Sequence, residues 1–332
     1  MRNPKGIGLV LSGLARRAAS RGVAETQIGG PLVAWLSKAR SRESAGWGYP
    51  FAWQSRAFFA PRGTPNAVCS AFVVAGLLDW SEATGDVDAS RLAEGTFPFW
   101  VAELRRTGAR SGICFSYTPL DTSCIHNVNL MVAATLLRLA QRTDEREGTD
   151  LARAAAQFTI AAQRPDGSWP YGEGSRQQWI DGFHTGFNLG ALGVLAAGLK
   201  DDAVRAARRA GYEYFRSHLL DARGRPLYYA DHAYPVDIHA VAQAILTVLG
   251  CLDLDPEALA RAEVIASKAR QLLRLEEGVY AYQRRRFYRN RIVYARWGQA
   301  WMFRALAELE WALDSARARL QPKTGQRFEV NT

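Results

Sequence analysis

Cysteine is scarce: four residues in 332, Cys69, Cys114, Cys124 and Cys251, with no C-x-x-C pair among them. That scarcity excludes a disulfide-stapled scaffold and a short-spaced thiol redox or zinc motif. Each cysteine neighbours apolar residues and reads as a small buried thiol, which points to a reducing, cytoplasmic setting. No apolar run reaches the roughly 18 residues of a membrane span, so no transmembrane segment is expected. The stretch Gly6 to Ala15, behind Arg2 and Lys5, imitates a leader, but Arg16 and Arg17 stand where small residues should precede cleavage. It therefore reads as a helix. No Pro/Gly/Ser-rich linker interrupts the interior, so one domain is expected over residues 1–320, followed by a polar tail over 321–332.

Acidic residues are outnumbered, 32 against 42 Lys and Arg, for a formal charge of +10. A basic surface attracts polyanions. No nucleic-acid-binding motif accompanies the charge, so nucleic acid is not an expected partner. The only dense basic run is Arg284, Arg285, Arg286, Arg289 and Arg291, which reads as a solvated loop or a contact for an acidic polymer. Also missing are a Gly-rich phosphate loop, a G-x-S-x-G elbow and a dinucleotide fingerprint, so no cofactor is expected. There is no H-x-x-x-H pair. A zinc ion would need histidines from different repeats together with Asp121, Asp181 or Asp237, and no metal is assigned.

What the chain has in abundance is apolar helix, arranged as a repeat. Hydrophobic residues make up 48% of the sequence. Five segments share a turn, a short aromatic cluster, a polar loop and a strongly apolar helix. Their clusters centre on Tyr49, Tyr117, Tyr171, Tyr229 and Tyr282, at intervals of 68, 54, 58 and 53 residues. The apolar helices are predicted over 66–80, 126–140, 184–198, 238–252 and 296–311. Between them lie amphipathic helices, predicted over Ala89–Thr107, Asp150–Gln163, Asp202–His218 and Pro256–Leu275, with charge on one face only. Two helix types imply two layers, with the apolar helices inside. Together with helices over about Gly6–Ser41, five to six hairpins suffice for a closed all-α, α/α toroid. An open arc is the alternative. No run with period-two alternation competes, although the aromatic clusters are the right length for small hairpins.

The run Gln163-Arg164-Pro165-Asp166-Gly167-Ser168-Trp169 resembles the Q-x-x-D-G-S-W repeat of the squalene-cyclase and prenyltransferase superfamily of α/α toroids. That resemblance implies fold only. Over about residues 46–300 the chain is similar to uncharacterised toroid proteins of bacterial polysaccharide biosynthesis. The matching runs are Trp47-Gly48-Tyr49-Pro50-Phe51, Phe59 to Asn66, Phe183-His184-Thr185-Gly186-Phe187-Asn188 and Tyr234-Pro235-Val236-Asp237-Ile238-His239.

In a toroid the inner helices aim their N-termini at one face, so residues of equal register converge there. This brings Asn66, His126, Asn127, Asp181, His184, Asp237, His239, Arg296 and Trp297 to one mouth. The aromatics Trp47, Tyr49, Trp53, Tyr117, Trp169, Tyr171, Trp179, Tyr228, Tyr229 and Tyr282 surround them. Aromatic faces stack on sugar C–H surfaces, and amides and carboxylates hold hydroxyls. The expected substrate is therefore an oligo- or polysaccharide, neutral or acidic. Asp181 and Asp237, carboxylates from different repeats, are the leading acid/base pair for a glycan-cleaving or modifying reaction. In a lyase or epimerase, His184, His239 and Tyr229 would move protons while Arg56 or Arg62 held a uronate carboxylate. The competing reading is that Asp and Asn before a helix are N-caps, that Asp166 shapes a turn, and that Trp169 is core. A non-catalytic glycan-binding protein needs only the aromatics. A terpenoid cyclase would want D-x-D-D or D-D-x-x-D, and neither is present. Oligomeric state is not legible in the sequence.

Overall fold

The computed structural model describes residues 2–55, 58–109 and 111–320. The polar tail lies outside the described residues, as does Arg56. Eleven α-helices are described: α1 (Pro4–Arg21), α2 (Thr26–Ala39), α3 (Ala67–Thr84), α4 (Val87–Glu94), α5 (His126–Thr143), α6 (Arg146–Ala161), α7 (Gly182–Leu199), α8 (Asp202–His218), α9 (Ile238–Leu249), α10 (Ala258–Leu273) and α11 (Ala300–Leu320).

The odd-numbered helices pack side by side in the order α1, α3, α5, α7, α9, α11, and α11 returns to α1, so the ring is closed. The even-numbered helices lie outside it, with α4 on α3, α6 on α5, α8 on α7 and α10 on α9. The chain is thus an α/α toroid with six inner helices, and α1 completes the circle that the five repeats leave open. Chemistry sorts the layers. α3 is buried nearly all round, from Ala67 to Ser81. α8 buries Val204, Ala207, Arg208, Gly211, Tyr212, Tyr214 and Phe215, a stripe at helical spacing, and turns the rest outward. α3 is long and apolar enough to cross a membrane, but 72% of it is buried inside the ring.

The helix predicted over Ala89–Thr107 breaks. α4 ends before Gly95, a π-helical turn spans Phe99–Glu103, and Arg106–Ala109 pairs antiparallel with Gly112–Phe115. Pro98 and Gly108 explain the break, since neither supports a continuous helix. Likewise, a π-helical turn at Ala295–Gln299 replaces the predicted start of the last inner helix. Four small antiparallel sheets, one of three strands and three of two, decorate the loops of the described residues, and strands Gly112–Phe115 and Val279–Tyr280 fall in the aromatic clusters. In the D-G-S-W turn, Asp166 Oδ1 accepts from the Ser168 amide (2.9 Å) and hydroxyl (2.7 Å), and Gly167 takes φ of +89°.

A backbone bond repeats around the ring. The first amide of α3, at Ala67, donates to the Tyr117 carbonyl. His126 of α5 donates to Tyr171, Gly182 of α7 to Tyr228, and Ile238 of α9 to Tyr282. These four tyrosines therefore each satisfy an orphan N–H of the preceding inner helix, whereas the Tyr49 carbonyl accepts from the Gly63 amide of its own loop. This register corrects the sequence reading: the repeat tyrosine of the fourth cluster is Tyr228, not Tyr229, and the intervals from Tyr117 become 54, 57 and 54 residues.

Candidate functional site

A cavity of about 320 Å³ opens where the inner helices begin. Every inner helix contributes from its start: Lys5 from α1, Val68 from α3, Asn127 from α5, Phe183 and His184 from α7, His239 from α9, and Arg296 and Trp297 from the turn before α11. The loops add Tyr49, Phe51, Trp53, Tyr117, Tyr171, Gln177, Trp179, Tyr228 and Tyr229. The rings form walls rather than isolated contacts. Tyr171 stacks on Trp179 with centroids 4.5 Å apart, and Trp53 lies 4.8 Å from Tyr117. Such faces suit the C–H surfaces of a sugar ring.

His184 and His239 differ in their support. Asp181 is the N-cap of α7: its Oδ1 accepts from the His184 amide at 2.9 Å. Its Oδ2 accepts from the Trp179 indole at 3.0 Å and lies 2.6 Å from His184 Nδ1. The carboxylate is thereby fully engaged and holds the imidazole by one nitrogen, leaving Nε2 as the ring's other proton site. His239 is only 1% exposed, and neither ring nitrogen has a hydrogen-bond partner. Its ring is packed by Trp297 and Trp301, each 4.4 Å away, and by Phe183 at 4.7 Å. Burial, then the nearby Lys5, His184 and Arg296, hold the His239 imidazole well below its ordinary pKa. It is therefore neutral near pH 7, and protonating it in the empty cavity is disfavoured.

Asp237 lies behind this wall. It is 1% exposed and is the N-cap of α9, accepting from the amides of His239 (2.8 Å) and Ala240 (3.4 Å). Its second oxygen accepts from Gln283 Nε2 at 2.7 Å. Burial raises its pKa against the pull of these donors and of the Trp297 indole.

The expected site residues thus divide. Tyr49, Trp53, Tyr117, Asn127, Tyr171, Asp181, His184, Tyr229, His239, Arg296 and Trp297 line the cavity. Asp237, Trp47, Trp169, Asn66, His126 and Arg62 do not. Trp47 is fully buried, with its indole donating to the Leu36 carbonyl at 2.9 Å. Trp169 is core beneath the turn, donating to the Thr159 carbonyl at 2.9 Å. Asn66 caps α3 through the Cys69 amide at 2.8 Å. His126 is buried, with Nε2 2.9 Å from Glu173. Arg62 is exposed on its loop. Among the described residues, no group of three or more His, Cys, Asp or Glu side chains could hold a metal.

Lys5 escaped the sequence reading, which saw only a charge flanking an apolar run. It is 4% exposed, with Nζ 4.6 Å from the Phe72 ring centre, 5.3 Å from Trp301 and 5.9 Å from Phe187. Burial, then Arg296, pull its pKa down to about 7. The available signal was Pro4, a first-turn residue that places Lys5 at a helix start. Phe72 and Phe187 also line a second cavity of about 320 Å³ between the inner helices, bordered by Arg16, Arg138 and Arg304.

No protein-family model and no curated protein matches the chain by sequence. Its fold does match solved structures. A cellobiose 2-epimerase from Bacillus thermoamylovorans B4167 aligns with a TM-score of 0.70 at 10% identity, covering 93% of this chain and 87% of that one. A family 76 glycoside hydrolase from a bovine Bacteroides thetaiotaomicron strain aligns with a TM-score of 0.67 at 12% identity, covering 95% and 69%. An unsaturated glucuronyl hydrolase from Bacillus sp. GL1 aligns with a TM-score of 0.57 at 16% identity, covering 74% of each chain. The chain shares the α/α-toroid fold with these enzymes.

Proposed function

We propose that the chain is a carbohydrate-active enzyme of the lyase or epimerase type, moving a proton at a sugar carbon next to a carbonyl group. His184 and His239 are its two acid/base groups, and its setting is polysaccharide production or turnover. One observation carries the reading: both imidazoles line the same aromatic cavity, one oriented by Asp181 and the other without a hydrogen-bond partner. A neutral imidazole can accept a proton where the negative charge developing on the substrate offsets the burial and neighbouring cations that lower its basicity, and an Asp-held imidazole can return the proton. The two rings share Phe183 as a neighbour, at 4.1 and 4.7 Å. Cellobiose 2-epimerases among the structures of like fold fit this reading.

The hydrolase alternative needs two carboxyl groups flanking one glycosidic bond. Among the described residues Asp181 is the only carboxylate lining the cavity, and Asp237 is hydrogen-bonded behind it. We therefore assign Asp181 to orienting His184 and Asp237 to anchoring the start of α9. The non-catalytic reading remains supported by the stacked aromatics alone.

The test is carbon-bound deuterium incorporation, followed by NMR, on incubating reducing disaccharides and uronate disaccharides with the protein in heavy water. Exchange at one ring position is expected. His184→Asn and His239→Asn should each lower it by about 10²–10⁴-fold with sugar binding retained. Tight binding of a sugar with no exchange in the native protein would favour the glycan-binding alternative.

A further inference from the structure

We propose that the floor of this cavity is a seat for a carboxylate, with the Lys5 ammonium and the Arg296 guanidinium as its two cations, and that the sugar bound there is a uronate. Both side chains line the cavity, and among the described residues neither is in an ion pair. Lys5 Nζ lies over the ring faces of Phe72, Trp301 and Phe187. The Arg296 guanidinium lies over Tyr49 and Phe51, at 5.2 and 5.3 Å. The two residues come from neighbouring backbone: a β-carbon on Gly6 would stand 3.7 Å from Arg296 Cα. The one lining carboxylate among the described residues, Asp181, is committed to His184 and Trp179.

A buried ammonium beside a half-buried guanidinium, without a counter-ion among the described residues, is costly, and an incoming anion relieves that cost. Rings alone would not recruit it, because their negative faces already attract the cations. Arg296 can grip both oxygens of a carboxylate, whereas Lys5 acts as a point charge.

The chemistry of such a substrate rests on the proton-transfer reading above. The C–H bond next to the carboxylate breaks, its proton passes to one imidazole, and the electron pair spreads into the carboxylate. Lys5 and Arg296 then stabilise the added negative charge where it develops. Return of a proton by the second imidazole on the opposite face gives the epimer. Departure of the substituent on the neighbouring carbon with the electron pair, protonated as it leaves, gives the unsaturated sugar.

Protonation of Lys5 sets a pH dependence. The groups facing it are Arg296 before α11, Cys69 on α3 and His239 on α9. Burial pushes the Cys69 thiol up to about 12, and His239 is held neutral, so neither supplies a counter-charge near neutrality. Lys5 in the empty site is charged below about 7, so affinity for an anion should fall as pH rises through that value.

The experiment is calorimetric titration of the full chain with cellobiose and with its glucuronate counterpart at pH 6.5 and 8.5. The uronate should bind at least tenfold more tightly at pH 6.5, with a smaller margin at pH 8.5. Lys5→Met and Arg296→Met should each cost the uronate more than tenfold and the neutral sugar far less, and Lys5→Arg should restore the preference at pH 8.5. Equal affinities, no uronate binding at millimolar concentration, or an unchanged preference in Lys5→Met would overturn the seat. Deuterium exchange separates the two ideas. Uronate preference without exchange keeps the seat and rejects the enzyme, whereas exchange confined to the neutral sugar does the reverse.

Discussion

A buried lysine costs stability, and Lys5 makes that cost measurable. Its pKa is about 7 in the fold against an ordinary 10.5. Between those values the unfolded chain binds the extra proton, so this residue's contribution to stability rises with pH across that window. Below about 7 the burden is present in full. Lys5→Met should therefore raise the melting temperature at pH 7, by about 2–4 kcal/mol in stability, and the gain should fade toward pH 10.5. Unchanged melting curves at both pH values would show that Lys5 bears no such strain. A sequence marks such a residue only as a charge near an apolar run, because its burial is imposed by helices far along the chain. The converse holds for Asp237, Asn66 and Trp169. Their positions before helices or in a tight turn were legible, but equal register did not mean equal exposure. Asp181 and Asp237 are both N-caps, yet the loop around Asp181 exposes His184 to the cavity while Gln283 closes over Asp237.

At the scale of the element, close helix approach rests on paired glycines. A β-carbon on Gly76 would stand 2.2 Å from the Gly8 carbonyl oxygen, and one on Gly8 would stand 2.3 Å from the Phe72 carbonyl oxygen. Both obstacles are backbone and cannot rotate away, so α1 and α3 must separate to admit a methyl group. Gly76→Ala should cost about 1–3 kcal/mol, despite the higher helix propensity of alanine, read as a lowered denaturant midpoint. A raised midpoint would mean that the contact yields without cost. The five apolar inner helices were legible because they are long, periodic and nearly uniform in hydrophobicity. Two π-helical turns were not, the first being set by burial of Phe99 and Trp100 in the core, while the break in Ala89–Thr107 was marked locally by Pro98 and Gly108 but hidden under an apolar pattern of helical period.

At the scale of the molecule, closure depends on α1, which packs between α3 and α11. Removing residues 1–24 would bare the flanks of two apolar helices and delete Lys5 from the cavity at once. The shortened chain should lose cooperative unfolding or self-associate, as judged by denaturant titration and light scattering. A monomer with an unchanged midpoint would show that the ring holds without its sixth inner helix. On the outer surface, the arginine-rich run is an exposed hairpin in which Gln283–Arg284 pairs with Arg289–Asn290 and Phe287 is 85% exposed.

By itself the sequence determined the layers, the repeat and the mouth at which polar residues gather, since hydrophobic periodicity and the spacing of aromatic clusters are local properties of the chain. Only the tertiary structure decided which of those residues face the cavity. Rotation of each helix about its axis, the path of each preceding loop and the arrival of α1 from the far end of the chain are set by packing among segments distant in sequence. That packing turns Asp237 and His126 inward to hydrogen bonds and core, and brings Lys5 to the floor beside His239 and Arg296.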